Sequence, residues 1–184
     1  MSQQAQKVGN FPSTILLAID GSEVTELATR KAVDLTDTTG AALHVIYVGQ
    51  LPNYLMKVKD PDVVIFDRLG IDRMLYDDIE QESLQILWRL TWQVKLSGGD
   101  VAGAHLRMGN VAEQIMALAE DLQADLIVMG SRGHGGLRRV IEGSTSDVIV
   151  RRAHCPVMIV RTEKDEEPGD FWRRIFSSGA ANSG

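Results

Sequence analysis

The chain holds a single cysteine, Cys155, among its 184 residues. An intramolecular disulfide is therefore excluded, and the expected compartment is the reducing cytoplasm. No apolar run approaches the ~20 residues that a membrane-spanning helix needs, so no membrane span is expected. The opening stretch, MSQQAQKVGNFPS, lacks the apolar core of a secretory signal. An excess of positive charge is missing too. The formal net charge of −6 argues against a nucleic-acid partner, because such proteins present a basic face to phosphate. One local basic cluster stands apart from that balance, at Arg132, Arg138 and Arg139. The four histidines, His44, His105, His134 and His154, share no metal-ligand spacing, and there is no C-x-x-C pair.

What is present is an ordinary globular composition, 44% hydrophobic and 24% charged, of a length that favours one domain. TILLAID (14–20) is a short apolar run and reads as a buried strand. After it, Val24, Leu27, Ala28, Ala32 and Leu35 fall at helical spacing, with Ser22 as N-cap and Gly40 as the stop. AALHVIYV (41–48) is a second buried strand. Residues 50–61 carry Pro52 and Pro61 and are expected to be irregular.

From Asp72 to Leu96 the residues Leu75, Ile79, Ile86, Leu87, Leu90 and Val94 share a broad helical face. Trp88 and Trp92 lie one helical turn apart and read as core or dimer surface. DVAGAHLRM (100–108) alternates and is less apolar, which places it at a sheet edge. Gly109-Asn110 then caps a helix lined by Val111, Ile115, Met116, Ala119 and Leu122. ADLIVMG (124–130) is the most hydrophobic strand candidate and is expected to be central. STSDVIVRRA is a last helix, and VMIVR after Pro156 a fifth strand, with Cys155 buried where that strand begins.

Strands that alternate with helices imply parallel pairing through right-handed crossovers. The expected fold class is α/β, an open doubly wound parallel five-stranded sheet of order 3-2-1-4-5, Rossmann-like. Such a sheet binds its ligand outside the carboxyl ends of the strands, at the switch point. The loops after strands one and four meet there. The domain occupies 13–161, preceded by an extension over 1–12. The segment 162–184 changes composition: an acidic run with Pro168 and Gly169, then FWRRIF. Its plainer reading is a flexible tail or a cap on the protein's own surface. The other is contact with a partner subunit, a membrane surface or another protein.

The stretch MGSRGHGGLRRVIEGSTSDVIV (129–150) carries the chemistry. Glycines let backbone N–H groups approach phosphate oxygens without a Cβ in the way. Gly143-Ser144 opens the last helix, whose first-turn N–H groups have no partner inside the helix, and Ser144, Thr145 and Ser146 add hydroxyls. The stretch has no lysine, so it is not a P-loop. It is not the dinucleotide fingerprint either, since Arg138 stands where a third glycine is required. Each residue also has a plain reading. Asp20 could serve only to start the first helix, Gly143-Ser144 could be only a helix break and cap, and Arg138 and Arg139 a solvated face.

The arrangement Gly130-x₂-Gly133-x₉-Gly143-Ser144 resembles the nucleotide-binding signature of the universal stress protein family. ILLAIDGSE, LHVIYV and ADLIVMGSRGHGGLRRVIEGSTSDVIVRRAHCPVMIV strengthen that resemblance, which covers roughly residues 13–161. It implies an adenine nucleotide alpha hydrolase-like fold and, with the signature intact, ATP as ligand. It places Asp20 beside adenine and ribose with Ala18 nearby, the Val45 backbone on the adenine edge, Met129 on the base and Gly130 at the ribose. Arg132, Gly133, Gly143, Ser144, Thr145 and Ser146 would surround the phosphates. Mg2+, or Mn2+ in its place, would bridge the phosphates. The resemblance also implies a homodimer through the last strand, Val157 to Arg161.

The implied function is a nucleotide-dependent regulatory or stress-response protein with little or no hydrolysis. The S-G-G-x-D-S and H-I-G-H signatures of related enzymes are absent, and no residue is placed to activate water. The competing readings are a slow ATPase, a binder of AMP or cyclic AMP, and a dimeric scaffold with an empty pocket.

Overall fold

The computed structural model describes residues 11–50, 71–131 and 145–161. Five strands and four helices alternate along them: β1 (Thr14–Ala18), α1 (Glu23–Thr39), β2 (Ala42–Gly49), α2 (Ile71–Leu96), β3 (Val101–Met108), α3 (Val111–Asp121), β4 (Leu126–Gly130), α4 (Thr145–Arg152) and β5 (Val157–Val160). The strands form one parallel sheet of order β3-β2-β1-β4-β5. This is the expected doubly wound α/β arrangement. β3 takes the edge, as its weak apolar character implied. β4 is interior, but β1 and not β4 holds the centre.

Local signals set the ends of the helices. The Ser22 side chain accepts a hydrogen bond from the Thr25 N–H and caps α1, while Gly40, at φ 72°, closes it with its N–H donating to Thr36 C=O. The Asn110 side chain accepts from the Glu113 N–H at 3.1 Å and caps α3. β1 is sealed on both faces, with Ile15, Leu16 and Leu17 fully buried, as a central strand covered by helices on each side must be.

Two apolar layers result. Ile15, Leu17, Val45 and Val128 pack against Ala28, Ala32 and Val33 of α1 and against Leu87, Leu90 and Val94 of α2. Leu16, Ile46, Ile127 and Met129 pack against Ala112, Ile115 and Leu118 of α3 and against Ile149 of α4. The outer face of α2 excludes one of the two readings of its tryptophans. Trp88 and Trp92 are 67% and 63% exposed, so neither belongs to the core. The i, i+4 spacing places both on one stripe, and the buried stripe of the helix is the adjacent one through Leu87, Leu90 and Val94.

β2 and β3 are joined with a slip. Leu43 stands opposite Val101, yet His44 stands opposite Gly103, so Ala102 is an extra residue on β3. From that point to Gly49 opposite Met108 the pairing is regular.

At the amino-terminal end of the sheet, Oδ2 of Asp125 accepts three hydrogen bonds. The donors are Ser13 N–H at 2.9 Å, Ser13 Oγ–H at 2.6 Å and Thr14 N–H at 2.9 Å. These bonds tie the start of β1 to the start of β4. They also hold the Asp125 carboxyl below its ordinary value, the Ser13 side chain contributing most.

Candidate functional site

The carboxyl ends of β1 and β4 are neighbours, since Leu17 stands opposite Val128. Both strands deliver the chain to the same rim. On the β1 side that rim carries Ala18, then Asp20, Gly21 and Ser22. Gly21 lies at φ 79°, a left-handed conformation that glycine adopts without strain. It turns the chain sharply from the strand into α1. Asp20 Oδ1 accepts from the Ser22 N–H at 2.9 Å and from the Thr25 hydroxyl. One carboxylate oxygen thus fixes the start of α1. Asp20 has the helix-starting role that its position allowed, and it also stands at the rim.

On the β4 side the rim is Gly130, opposite Val160 of β5, followed by Ser131, whose N–H donates to Val160 C=O at 2.8 Å. α4 connects the parallel strands β4 and β5, so it runs back against them and its first turn, Thr145-Ser146-Asp147, opens at the same rim. Thr145 and Ser146 are half-buried. The positive end of the helix dipole and the N–H groups of that turn are a general anion-attracting feature. Asp147 adds one negative charge within the turn.

The predicted residues therefore divide into three sets. Ala18, Asp20, Gly130, Thr145 and Ser146 come together at the rim. Val45 and Met129 lie beneath it. Val45 is fully buried, opposite Leu17 on one side and Ala104 on the other, and Met129 is buried in the layer under α3 and α4. Arg132, Gly133, Gly143 and Ser144 lie outside the described residues, as do His134, Arg138 and Arg139.

Tyr47 was not singled out from the sequence. It is half-buried on β2, and burial together with the nearby Glu82 and Asp20 carboxylates pushes its hydroxyl up. Its hydroxyl is thus within electrostatic reach of the Asp20 carboxylate. Strand alternation in LHVIYV gives its face but not its neighbours.

The opposite end of the sheet is built differently. A cleft there is lined by Phe11, Gln123, Asp125, His154, Cys155 and Pro156. Cys155 is half-buried rather than buried. Burial and the Asp125 carboxylate push its thiol up, which keeps it protonated and a poor nucleophile. Among the described residues no group of three or more His, Cys, Asp or Glu could hold a metal ion. None of the described helices is long and apolar enough to cross a membrane.

Comparison with known proteins agrees with this architecture. The sequence profile of the universal stress protein family matches residues 13–161. A curated universal stress protein of Methanocaldococcus jannaschii is 30% identical over 161 residues, covering 85% of this chain and 86% of its own. The solved UspA of Lactobacillus plantarum superposes with a TM-score of 0.62 at 23% identity, over 81% of this chain and 97% of that one. A further universal stress protein, solved in complex with cAMP, gives a TM-score of 0.58 at 21% identity, over 82% of this chain and 98% of that one. With the strand order and the two-layer packing described above, the match across 13–161 makes this chain a member of the universal stress protein family.

Proposed function

We propose that this chain binds ATP at the carboxyl rim of its sheet and acts as a nucleotide-dependent regulator, with little or no hydrolysis. The observation that carries the proposal is the convergence at one rim of Asp20, Gly130 and the first turn of α4. Asp20 offers an acceptor for ribose hydroxyls or the adenine amino group. Gly130, without a side chain, leaves room for the sugar. Thr145 and Ser146 offer hydroxyl and N–H donors to phosphate oxygens. Gly133, Gly143, Ser144 and Arg132 complete the phosphate end on the strength of the sequence signature. The Val45 backbone then reads the adenine edge and Met129 packs on the base, as the resemblance implies, with Tyr47 near Asp20.

The fit to a polyphosphate rests on donors rather than on carboxylates. Mg2+, or Mn2+, would be carried by the phosphates, since the described rim has too few carboxylates to cage it. The cation would supply charge neutralisation of the bound phosphates. Nothing at the described rim is placed to activate a water molecule, which is why turnover above ~1 s⁻¹, low in the usual enzyme range, would overturn the reading. AMP or cyclic AMP would share the base and ribose contacts and differ only at the phosphates. The cAMP complex of a relative with this fold makes that competition worth measuring.

The test has two stages. Protein purified without added nucleotide is denatured, and the supernatant is analysed by chromatography with mass detection. ATP in the supernatant is the expected result. The stripped protein is then titrated with ATP-Mg2+, AMP and cyclic AMP. Gly133→Val and Gly143→Val should abolish binding while circular dichroism stays unchanged. A folded variant with full affinity would place the site elsewhere.

A further inference from the structure

His44 and His105 are 61 positions apart, and the fold sets them side by side. They stand on adjacent strands, β2 and β3, with His44 Nδ1 and His105 Nε2 3.1 Å apart. The ring centroids are 5.3 Å apart and the ring planes differ by 33°. Two features of the backbone make this pair. The first is the slip at Ala102. Side chains alternate along a strand, so shifting the register by one residue moves every later side chain to the other face. Were Ala102 paired with His44 in unbroken register, His105 would stand opposite Tyr47 and point to the α2 side while His44 points to the α3 side. With the slip, both project from the α3 side, together with Arg107, which reaches Asp121 at the end of α3 at 3.0 Å. The second is Gly103, which lies opposite His44. A Cβ at Gly103 would come within 2.7 Å of His44 Nδ1 and 2.8 Å of His105 Nε2. Only glycine leaves the space between the rings open.

We propose that His44 and His105 form a binding site for a divalent transition cation, Cu2+ or Zn2+, held by His44 Nδ1 and His105 Nε2 and completed by water. The spacing fits. Bonds of 2.0–2.1 Å to two imidazoles put the nitrogens about 3.3 Å apart at a tetrahedral ion, and somewhat closer at a square-planar one. The 3.1 Å separation lies within that range. At present one ring N–H points at the other ring's lone pair. Coordination needs both lone pairs turned toward a common point off the line between them, by a modest rotation of each ring. The donor ring also moves its proton to its other nitrogen, so no net proton is released. Burial holds both imidazoles below their ordinary values, and for His105 the neighbouring His44 and Arg107 add to it. That direction favours the neutral ring, the form that binds metals. Both are half-buried on the edge pair of strands, so solvent reaches the site. Arg107 opposes a cation, and its ion pair with Asp121 moderates that charge.

The test uses the full chain stripped of nucleotide and treated with chelator, with Cu2+ as the probe. Electron paramagnetic resonance of the complex at one equivalent should show two imidazole nitrogens on the copper. The melting temperature should rise with Cu2+, because the ion binds the folded pairing of two strands. His105→Gln keeps a hydrogen-bonding partner for His44 but removes the ligand. It should lose one nitrogen from the spectrum and abolish the thermal shift. His44→Gln should do the same and covers the case in which the first variant fails to fold. His154→Ala, at an exposed histidine outside the pair, should retain both signals. Wild-type spectra and thermal shifts that survive His105→Gln or His44→Gln would overturn the proposal, as would the absence of a two-nitrogen copper signal in the wild type.

Discussion

Asp125→Ala removes a clasp rather than a core residue. Asp125 immediately precedes β4, yet its three hydrogen bonds go to Ser13 and Thr14, more than a hundred positions earlier. A hydrogen bond to a charged group contributes about 1.5–3 kcal/mol when well formed. Here the three converge on one oxygen, and Ser13 is exposed. Water can replace part of each, and solvent screens the charge. The total expected loss is therefore about 2 kcal/mol rather than three times the single value. For a chain of this size that lowers Tm by about 4–8 °C at neutral pH.

The sign with pH follows from the depressed carboxyl. Its stabilisation is fully present above the ordinary value of 3.8 and is lost as pH falls through the lower folded-state value. Calorimetric or circular-dichroism melts of wild type and variant should thus show a gap at pH 7 that closes in acid. Asp125→Asn keeps an acceptor oxygen without the charge and should fall between the two. A Tm unchanged at pH 7, or a gap that widens as the solution is acidified, would refute the assignment of the clasp.

Three further outcomes are expected. Gly99→Ala should destabilise by about 1–3 kcal/mol, because its Cβ would meet Val33 Cγ2 at 2.9 Å and the Val94 carbonyl oxygen at 3.1 Å; denaturant melts would show it, and an unchanged midpoint would mean the α2–β3 turn relaxes freely. Thr91→Val should leave stability equal or raise it by up to about 1 kcal/mol, since Thr91 Oγ1 is buried without a hydrogen-bond partner among the described residues; a loss measured in the same melts would reveal a hidden partner. β5 is a sheet edge whose four residues, Val157 to Val160, are all apolar and half-buried, and an open edge of this kind favours pairing with a second copy. Light scattering at tens of micromolar should report a homodimer, and Ile159→Lys should shift it to monomer; a monomeric wild type would refute pairing through this edge.

Much of the fold was legible because burial writes itself into local pattern. ILLA and LIVM are continuous apolar runs because α1 covers one face of β1 and β4 while α3 and α4 close the other. Ser22, Gly40 and Asn110 announced helix ends because the unpaired backbone groups there need those side chains or that left-handed turn. Other features depend on partners far along the chain. The order 3-2-1-4-5 followed from the alternation of strands and helices and places β4 beside a central β1, whereas apolar content alone would have put β4 at the centre. Trp88 and Trp92 could be placed on one stripe by spacing, but whether that stripe faces the sheet is decided by which side of α2 has the more continuous apolar surface. The half-burial of Cys155 depends on what stands beside the start of β5. The candidate site was legible as a motif, and the structure brings part of it to one rim. Tyr47 beside Asp20 and the pairing of His44 with His105 are products of register, and no short window contains them.

The extra residue at Ala102 makes β3 unusually easy to edit at one place and unusually hard at the next. Ala102 is exposed and stands outside the regular pairing, so substituting it should pass almost unnoticed. Deleting it would leave Gly103 opposite His44 and Leu106 opposite Tyr47, with the strand's two sides as they are. Inserting a residue after Gly103 is a different operation. Leu106 would leave the apolar layer it shares with Tyr47, and His105 and Arg107 would be driven into that layer in its place. A frame of alternation behaves here like a reading frame: Ala102 is a letter outside the frame, while one letter added within it shifts the meaning of all that follow.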